Sequence, residues 1–118
     1  ENEVSIGSYT KIQTNAYITA YTTVEDHVFI APAVTTTNDN FMGRTKERFQ
    51  YVKGPYIKKG SRVGGAAILL PGVTLEEETF VGAGTLINRD TSAAKVYVGV
   101  PARPIREVPN REKLENQE

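Results

Sequence analysis

The chain has 118 residues and no cysteine, and its 14 lysines and arginines balance 14 aspartates and glutamates. This balance argues against a strongly basic nucleic-acid surface, and the absence of cysteine excludes disulfides, thiolate metal sites and a cysteine nucleophile. No run approaches the roughly 20 apolar residues of a membrane span and no signal peptide is visible, so we expect a single-domain, soluble, cytoplasmic protein.

An aliphatic residue recurs at every sixth position along most of the chain. Eleven of the twelve members of the series are aliphatic and Thr36 is the one polar member: Ile6, Ile12, Ile18, Val24, Ile30, Thr36, Ile57, Val63, Leu69, Leu75, Val81 and Ile87. A helix repeats its apolar positions at about 3.6 residues and a strand at 2, so a period of six indicates a parallel β-helix, in which short strands stack coil upon coil. We expect these side chains to point inward and to form the core.

Small residues mark the predicted corners between the short strands. Gly60, Gly72 and Gly84 recur there, and Asn15 and Asp26 are expected at equivalent positions because Asn and Asp also tolerate a positive φ. The pattern begins after only five residues, and an exposed first coil would present unpaired strand edges. We therefore expect an N-terminal cap or domain that this sequence does not include.

Two segments depart from the repeat. The interval from Thr36 to Ile57 is 21 residues, three more than three hexads would take, and residues 40–55 are locally basic. Residues 40–55 therefore predict an extruded loop. Arg44 and Arg48 in this loop would bind a phosphate or carboxylate of the acceptor. An ordinary solvated loop without a binding role is an equally weighted alternative. We expect the β-helix to occupy residues 1–105, followed by a tail or short helix over residues 106–118.

Three motifs accompany the hexads and strengthen a family resemblance: Val81-Gly82-Ala83-Gly84-Thr85, Asn88-Arg89-Asp90 and Val98-Gly99-Val100-Pro101-Ala102-Arg103. Together they resemble the hexapeptide-repeat acyltransferases over nearly all of residues 4–108. The resemblance implies an all-β, left-handed parallel β-helix of about four coils. It also implies a homotrimer that binds an acyl-coenzyme A in the groove between neighbouring subunits.

Within that family, residues 28–39 look most like enzymes that N-acetylate nucleotide-linked amino sugars. The match is strongest at Thr37-Asn38-Asp39, whereas Ala31, Ala33 and Thr36 replace the Gly, Asn and Phe of the usual pattern. These departures bear on the identity of the acceptor more than on the class of reaction.

Acyl transfer from a thioester needs a nucleophile, an acceptor for its proton and donors to the oxyanion. The O-acetylating relatives place a histidine in the stretch that here reads Asn38-Asp39-Asn40-Phe41, so an amine acceptor is expected. Asn38 would orient the amine and Asp39 would bind a sugar hydroxyl or act as a weak base, unless the pair only forms an Asx turn. His27, the only histidine, is a second catalytic candidate as a general base, although a lone corner histidine is usually a solvated surface group.

The resemblance also implies contacts to coenzyme A. Two corner residues, Gly65 and Ala83, would bind the pantetheine amides through their backbone. Four polar residues would lie near the nucleotide, because guanidinium groups bind phosphate well. These residues are Gly65, Ala83, Asn88, Arg89, Arg103 and Arg106. The alternative is that the arginines are ordinary solvated charges. No metal is expected.

The predicted function is N-acetylation of an amino group on a nucleotide-linked sugar by acetyl-coenzyme A. O-acetylation and a non-catalytic β-helical scaffold remain alternatives, because a fold does not by itself imply a function. A β-helical carbonic anhydrase would need three histidines on zinc, and the chain has one.

Overall fold

The computed structural model describes residues 1–117; Glu118, the last residue of the predicted tail, lies outside the described residues. Most of the strands have two residues, as a six-residue repeat with a corner requires. They are β1 (Ser5–Ile6), β2 (Lys11–Ile12), β3 (Thr23–Val24), β4 (Phe29–Ile30), β5 (Thr35–Thr36), β6 (Tyr56–Ile57), β7 (Arg62–Val63), β8 (Ile68–Leu69), β9 (Thr74–Leu75), β10 (Phe80–Val81), β11 (Leu86–Ile87), β12 (Lys95–Val98) and β13 (Arg103–Glu107). Short 3-10 helices span Glu47–Gln50, Asn110–Glu112 and Leu114–Asn116, and no helix within residues 1–117 has the length and apolar character to cross a bilayer.

The strands form three parallel faces of a triangular coil. Face A contains β1, β3, β6 and β9, and face B contains β2, β4, β7, β10 and β12. Face C contains β5, β8 and β11, which a single bridge at Tyr17 extends into the first coil. Equivalent residues such as Ser5 and Thr23 lie 18 positions apart. The predicted all-β fold with about four coils of parallel β-helix is confirmed.

The predicted inward series forms the core wherever another coil covers it. Nine of its members have no more than 1% of their surface exposed: Val24, Ile30, Thr36, Ile57, Val63, Leu69, Leu75, Val81 and Ile87. Thr36 is tolerated among them because its hydroxyl donates to the Tyr17 carbonyl and accepts from the Thr19 N–H, both at 2.8 Å. The expectation was wrong for Ile6 and Ile12, which are 49% and 36% exposed because they belong to the first coil.

At ten of the twelve corners a tight turn places one residue in the left-handed region, three positions after the inward residue; the corners after Thr36 and Ile87 are the exceptions. That residue has the positive φ of the third residue of a type II turn. Asn15 has φ 64° and Gly60 has φ 75°, as expected. The assignment of Asp26 was wrong: His27, one residue later, adopts φ 57°, while the Asp26 carboxylate accepts the Ser8 N–H at 2.7 Å.

The extruded loop is an insertion that leaves the register of the coils unchanged. Val24 pairs with Ile57, 33 residues later, whereas other coils advance 18, so the insertion amounts to 15 residues. It follows β5 directly, and the Lys53 N–H donates to the Asn38 carbonyl at 3.0 Å across its neck. The interval from Thr36 to Ile57 is therefore one hexad plus an insertion, not three hexads plus three residues.

The C-terminal segment turns back along the corner between faces A and B. After β13 pairs antiparallel with β12, the chain returns so that Glu112 forms an ion pair with Arg62 at 3.0 Å. The Leu114 N–H donates to the Glu78 carboxylate at 2.9 Å. The Leu114 side chain lies where a side chain on Gly60 would project, since a Cβ there would be 2.8 Å from Leu114 Cδ1.

Replacing Gly60 by alanine is expected to destabilise the protein more than replacing Gly84. Both positions have φ near 70°, which costs an alanine about 1–2 kcal/mol, but the new methyl group meets nothing within 4 Å at Gly84. At Gly60 it displaces Leu114 and adds a loss of about 1 kcal/mol. Urea unfolding of Gly60→Ala and Gly84→Ala measures the difference; equal losses would show that Leu114 contributes nothing at this corner.

Candidate functional site

Asn38 lies at the neck of the inserted loop, at the corner between faces C and A. Its backbone carbonyl accepts the Lys53 N–H, and its side-chain Nδ2 donates to the Ala20 carbonyl at 3.2 Å. Because a carbonyl accepts hydrogen bonds, this contact identifies the side-chain atom facing Ala20 as nitrogen and the other as oxygen. The Oδ1 atom is then left as an acceptor that can receive a hydrogen bond from a bound molecule.

Asp39 organises the loop that follows. Its carboxylate accepts the backbone N–H groups of Phe41 at 2.9 Å and Gly43 at 2.7 Å, and one oxygen lies 3.7 Å from Arg48 Nε. The hydrogen bond from Gly43, followed by that from Phe41 and the Arg48 charge, holds the pKa of the Asp39 carboxyl below its ordinary value. The structure therefore brings Asp39 and Arg48 together as an ion pair within the loop, and it shows the Asx turn of the alternative prediction.

Arg44 and Arg48 differ in how free they are to meet a ligand. Arg48 also donates to the Thr45 carbonyl at 2.8 Å and lies over the Phe49 ring at 4.1 Å. Arg44 is exposed, and its side chain has no hydrogen-bond or ionic partner among residues 1–117. Of the two predicted arginines, Arg44 is the one whose charge is available.

Replacing Asp39 by asparagine is expected to open the loop without unfolding the coils. The amide cannot accept two backbone N–H groups and pair with Arg48 as the carboxylate does, so trypsin should cut after Arg44 severalfold faster while the melting temperature changes little. Because the folded-state pKa is lowered, the carboxylate stabilises the loop at neutral pH, and this contribution is lost only as the pH falls through that lowered pKa. Asp26→Asn is the matched control, and equal cleavage rates in both variants would contradict this role.

His27 lies at the corner between faces A and B, away from Asn38. Its ring stacks on Tyr9, with centroids 5.0 Å apart. It is exposed and borders an open cavity of about 580 Å³ whose lining includes Lys59, Glu78 and Leu114. One copy of the chain does not bring the two predicted catalytic residues together.

Gly65 and Ala83 stack one coil apart at the corner between faces B and C. The Gly65 carbonyl accepts the Gly84 N–H at 2.8 Å, which fixes the two turns on each other. Within residues 1–117 neither the Gly65 N–H nor the Ala83 N–H has an acceptor. Two backbone donors without an acceptor in the chain therefore lie on neighbouring turns of this corner.

Three of the predicted nucleotide contacts meet at the C-terminal end of the coil. Asn88, Arg89 and Arg103 line one cavity of about 370 Å³. Arg106 is not part of it; it lies further along β13. Sequence reasoning missed Tyr97, which also lines this cavity and whose hydroxyl accepts the Ser92 N–H at 2.7 Å. No motif marked it, because its role depends on the strand pairing of β12.

No group of three or more histidine, aspartate or glutamate side chains within residues 1–117 is arranged to hold a metal ion.

Comparisons with known proteins agree with this geometry, although no protein-family model matches the chain. A galactoside O-acetyltransferase from Escherichia coli is 32% identical over 94 residues, which are 77% of this chain and 46% of the relative. A serine acetyltransferase from Buchnera aphidicola is 28% identical over 89 residues, covering 75% of this chain and 30% of the relative. The chain thus spans less than half the length of these relatives.

Among solved structures, a hexapeptide-repeat acetyltransferase from Vibrio cholerae superposes with a TM-score of 0.73 at 25% identity, over 92% of this chain and 64% of that one. A second structure of that protein contains acetyl-coenzyme A. The shared architecture is the left-handed parallel β-helix. In sequence and in fold, the chain is therefore similar to hexapeptide-repeat acetyltransferases.

Proposed function

We propose that this protein transfers an acetyl group from acetyl-coenzyme A to the amino group of a nucleotide-linked sugar. The observation that carries the proposal is the pair of unpartnered N–H groups at Gly65 and Ala83. At the corner between faces A and B, two of the equivalent donors are already occupied: Ser8 N–H bonds to Asp26, and Lys59 N–H bonds to Glu25. In the proposed complex, the two free donors at the corner between faces B and C would bind the amide oxygens of an extended ligand.

A cavity at the C-terminal end of the coil, on the opposite edge of face C from these donors, would provide further contacts. Asn88, Arg89 and Arg103 line it, and two guanidinium groups in one cavity suit the phosphates of a nucleotide. The nucleotide end of coenzyme A would lie there, and the pantetheine arm would cross the end of face C to reach Ala83 and Gly65. Acetyl-coenzyme A supplies the activated thioester.

Asn38 would orient the acceptor. Its Nδ2 is held by the Ala20 carbonyl, so its Oδ1 can accept one N–H of a neutral amine and direct the nitrogen lone pair at the thioester carbon. The new C–N bond forms as the carbonyl becomes an oxyanion, and the C–S bond breaks when the oxyanion collapses. The proton lost from nitrogen goes to the departing thiolate, which leaves an amide and coenzyme A.

The acceptor site would be assembled between copies of the chain, in a homotrimer. Asn38 lies at one edge of face C and Gly65 at the other, so a single chain keeps them a full face apart. Arg44 carries a free charge on the inserted loop that follows Asn38, and it would suit the phosphate of a nucleotide-linked acceptor. His27 stays a predicted general base, but its corner borders neither edge of face C.

O-acetylation is the second candidate, because the E. coli relative is a galactoside O-acetyltransferase. A hydroxyl nucleophile needs a base, and the loop from Asn38 to Tyr51 contains no histidine. A non-catalytic scaffold is the third possibility, because the β-helix alone carries no chemistry.

Two measurements distinguish the candidates. Acetyl-coenzyme A at a hundred times its dissociation constant should stabilise the protein by about 2.7 kcal/mol and raise its melting temperature, and the absence of a shift at millimolar ligand favours the scaffold. Thiol release is then followed with amino-sugar nucleotides and, as matched controls, the same nucleotides carrying a hydroxyl in place of the amine. Release with the amine alone supports the proposal, whereas release with the hydroxyl alone supports O-acetylation.

A further inference from the structure

Arg62, an outward residue of the third coil on face B, uses only part of its guanidinium group. The group lies over the Phe80 ring at 4.8 Å, and its Nη1 atom forms the ion pair with Glu112 at 3.0 Å. Its Nη2 atom is shielded from solvent and has no hydrogen-bond partner within residues 1–117. A charged donor that is buried without an acceptor is unfavourable, so this side chain has the capacity to bind a second anionic group.

A cavity of about 240 Å³ opens beside Arg62, between face B and the C-terminal segment. Lys11, Phe29 and Arg62 stand one above another along it, because β2 pairs with β4 and β4 pairs with β7 in register. Lys11 is exposed and takes part in none of the ion pairs within residues 1–117. The cavity therefore presents two cations on either side of one aromatic ring, and one of these cations is free.

Aromatic rings form a further part of the cavity wall. Tyr9 and His27, whose rings stack with centroids 5.0 Å apart, line the cavity together with Leu114 of the C-terminal segment. Phe29 exposes 39% of its surface. Pockets for drug-sized ligands measure roughly 300–1,000 Å³, so this smaller cavity suits a molecule with a single ring and one anionic group.

Glu112 shows which kind of anionic group Arg62 accepts. It brings a carboxylate to the guanidinium group from the C-terminal segment, and the two side chains are 32% and 31% exposed. Ion pairs with this much exposure are weak, so the partner can be exchanged. The segment is also held by the Leu114 N–H, which donates to the Glu78 carboxylate at 2.9 Å. A free carboxylate can therefore compete with Glu112 without disturbing the coils.

We propose that this cavity is a binding site for a small aromatic carboxylate. The carboxylate of the ligand accepts hydrogen bonds from Arg62 and lies within reach of the Lys11 charge, while its ring packs on Phe29. Two carboxylates then share one guanidinium group, so the ligand weakens the hold of Glu112 on the C-terminal segment, and Glu112 weakens ligand binding by the same factor. The site borders the corner between faces A and B and does not depend on the proposed acetyl transfer.

The first experiment compares phenylacetate with its neutral isostere phenylacetamide in titrations followed by NMR. We expect saturable binding of phenylacetate to the wild type, at least tenfold tighter than that of phenylacetamide, because only the acid forms charge-assisted hydrogen bonds. Acetate, which lacks the ring, should bind at least tenfold more weakly than phenylacetate.

Arg62→Gln should remove the preference for the acid over the amide. Lys58→Gln is the matched control, because Lys58 is an outward cation of the same coil on face A, is similarly exposed and also pairs with a glutamate at 3.0 Å. It should bind phenylacetate as the wild type does. Circular dichroism checks that both variants are folded.

Glu112→Gln tests the competition, and Glu76→Gln, which breaks the pair with Lys58, is its control. Removing the Glu112 charge should tighten phenylacetate binding severalfold, whereas Glu76→Gln should leave it unchanged. Saturating phenylacetate should also speed trypsin cleavage of the wild type after Arg111 and Lys113 severalfold, because the segment is then held less firmly.

Equal binding of phenylacetate and phenylacetamide by the wild type would overturn the inference, and so would a folded Arg62→Gln variant that keeps the preference for the acid. A Glu112→Gln variant that binds phenylacetate no more tightly than Glu76→Gln would do the same. Tighter binding of phenyl phosphate than of phenylacetate would overturn the assignment of a carboxylate as the anionic group.

Discussion

Truncating Leu69 to alanine is expected to lower the free energy of unfolding by about 2–5 kcal/mol, the largest stability effect predicted for this chain. The Leu69 side chain is fully buried in the third coil, between the inward residues Thr36 and Ile87 of the coils on either side. Removing it leaves a cavity that the flanking rungs cannot fill, because their spacing is fixed by strand pairing. Urea unfolding of the purified variant measures the loss.

Ile12→Ala is the control for this prediction. Ile12 occupies the same position of the hexad, but its side chain is 36% exposed in the first coil, so the loss should be about 1 kcal/mol or less. Equal losses at the two positions would show that the period, rather than coverage by a coil on each side, determines stability.

Replacing Asn38 by alanine is expected to lower turnover by tens-fold or more, the largest effect on activity. The variant loses the amide oxygen that would orient the amine, and a tenfold change in rate corresponds to about 1.4 kcal/mol of transition-state stabilisation. It also loses the hydrogen bond to the Ala20 carbonyl, which is worth about 1 kcal/mol of stability. Steady-state kinetics with saturating acetyl-coenzyme A, together with a melting curve, separate these two effects.

Asn40→Ala is the matched control, since Asn40 is an exposed asparagine two residues further along the same loop. It should retain the activity of the wild type. Unchanged kinetics in the Asn38 variant would remove that residue from the mechanism, and a loss accompanied by unfolding would assign it a structural role instead.

The fold could be predicted because the repeat encodes it at every coil. Each six residues supply one inward side chain and one turn, which determine the buried positions and the stacking of the coils. The predicted buried positions and stacking are confirmed from Val24 to Ile87. Two of the wrong predictions about the fold have simple physical causes. Ile6 and Ile12 have the right identity but lack a covering coil, and Asp26 was placed one residue from the left-handed position that His27 occupies.

The candidate site was less predictable, because proximity in a β-helix is decided between coils and between copies. The stacking of Gly65 on Ala83 follows from their separation by one coil, and the structure shows it. The pairing of Asp39 with Arg48 depends on how the inserted loop folds, which no repeat encodes. The separation of His27 from Asn38 depends on the count of residues around each corner, and it became visible only in the folded coil.

The inserted loop can vary in evolution independently of the coils. It leaves and re-enters the coil at adjacent points, and the rungs before and after it pair as if it were absent. Residues between Asp39 and Val52 can therefore be lengthened, shortened or exchanged without shifting any ladder of the scaffold. Divergence toward a new acceptor could thus proceed in this one segment while the machinery for the donor is inherited intact.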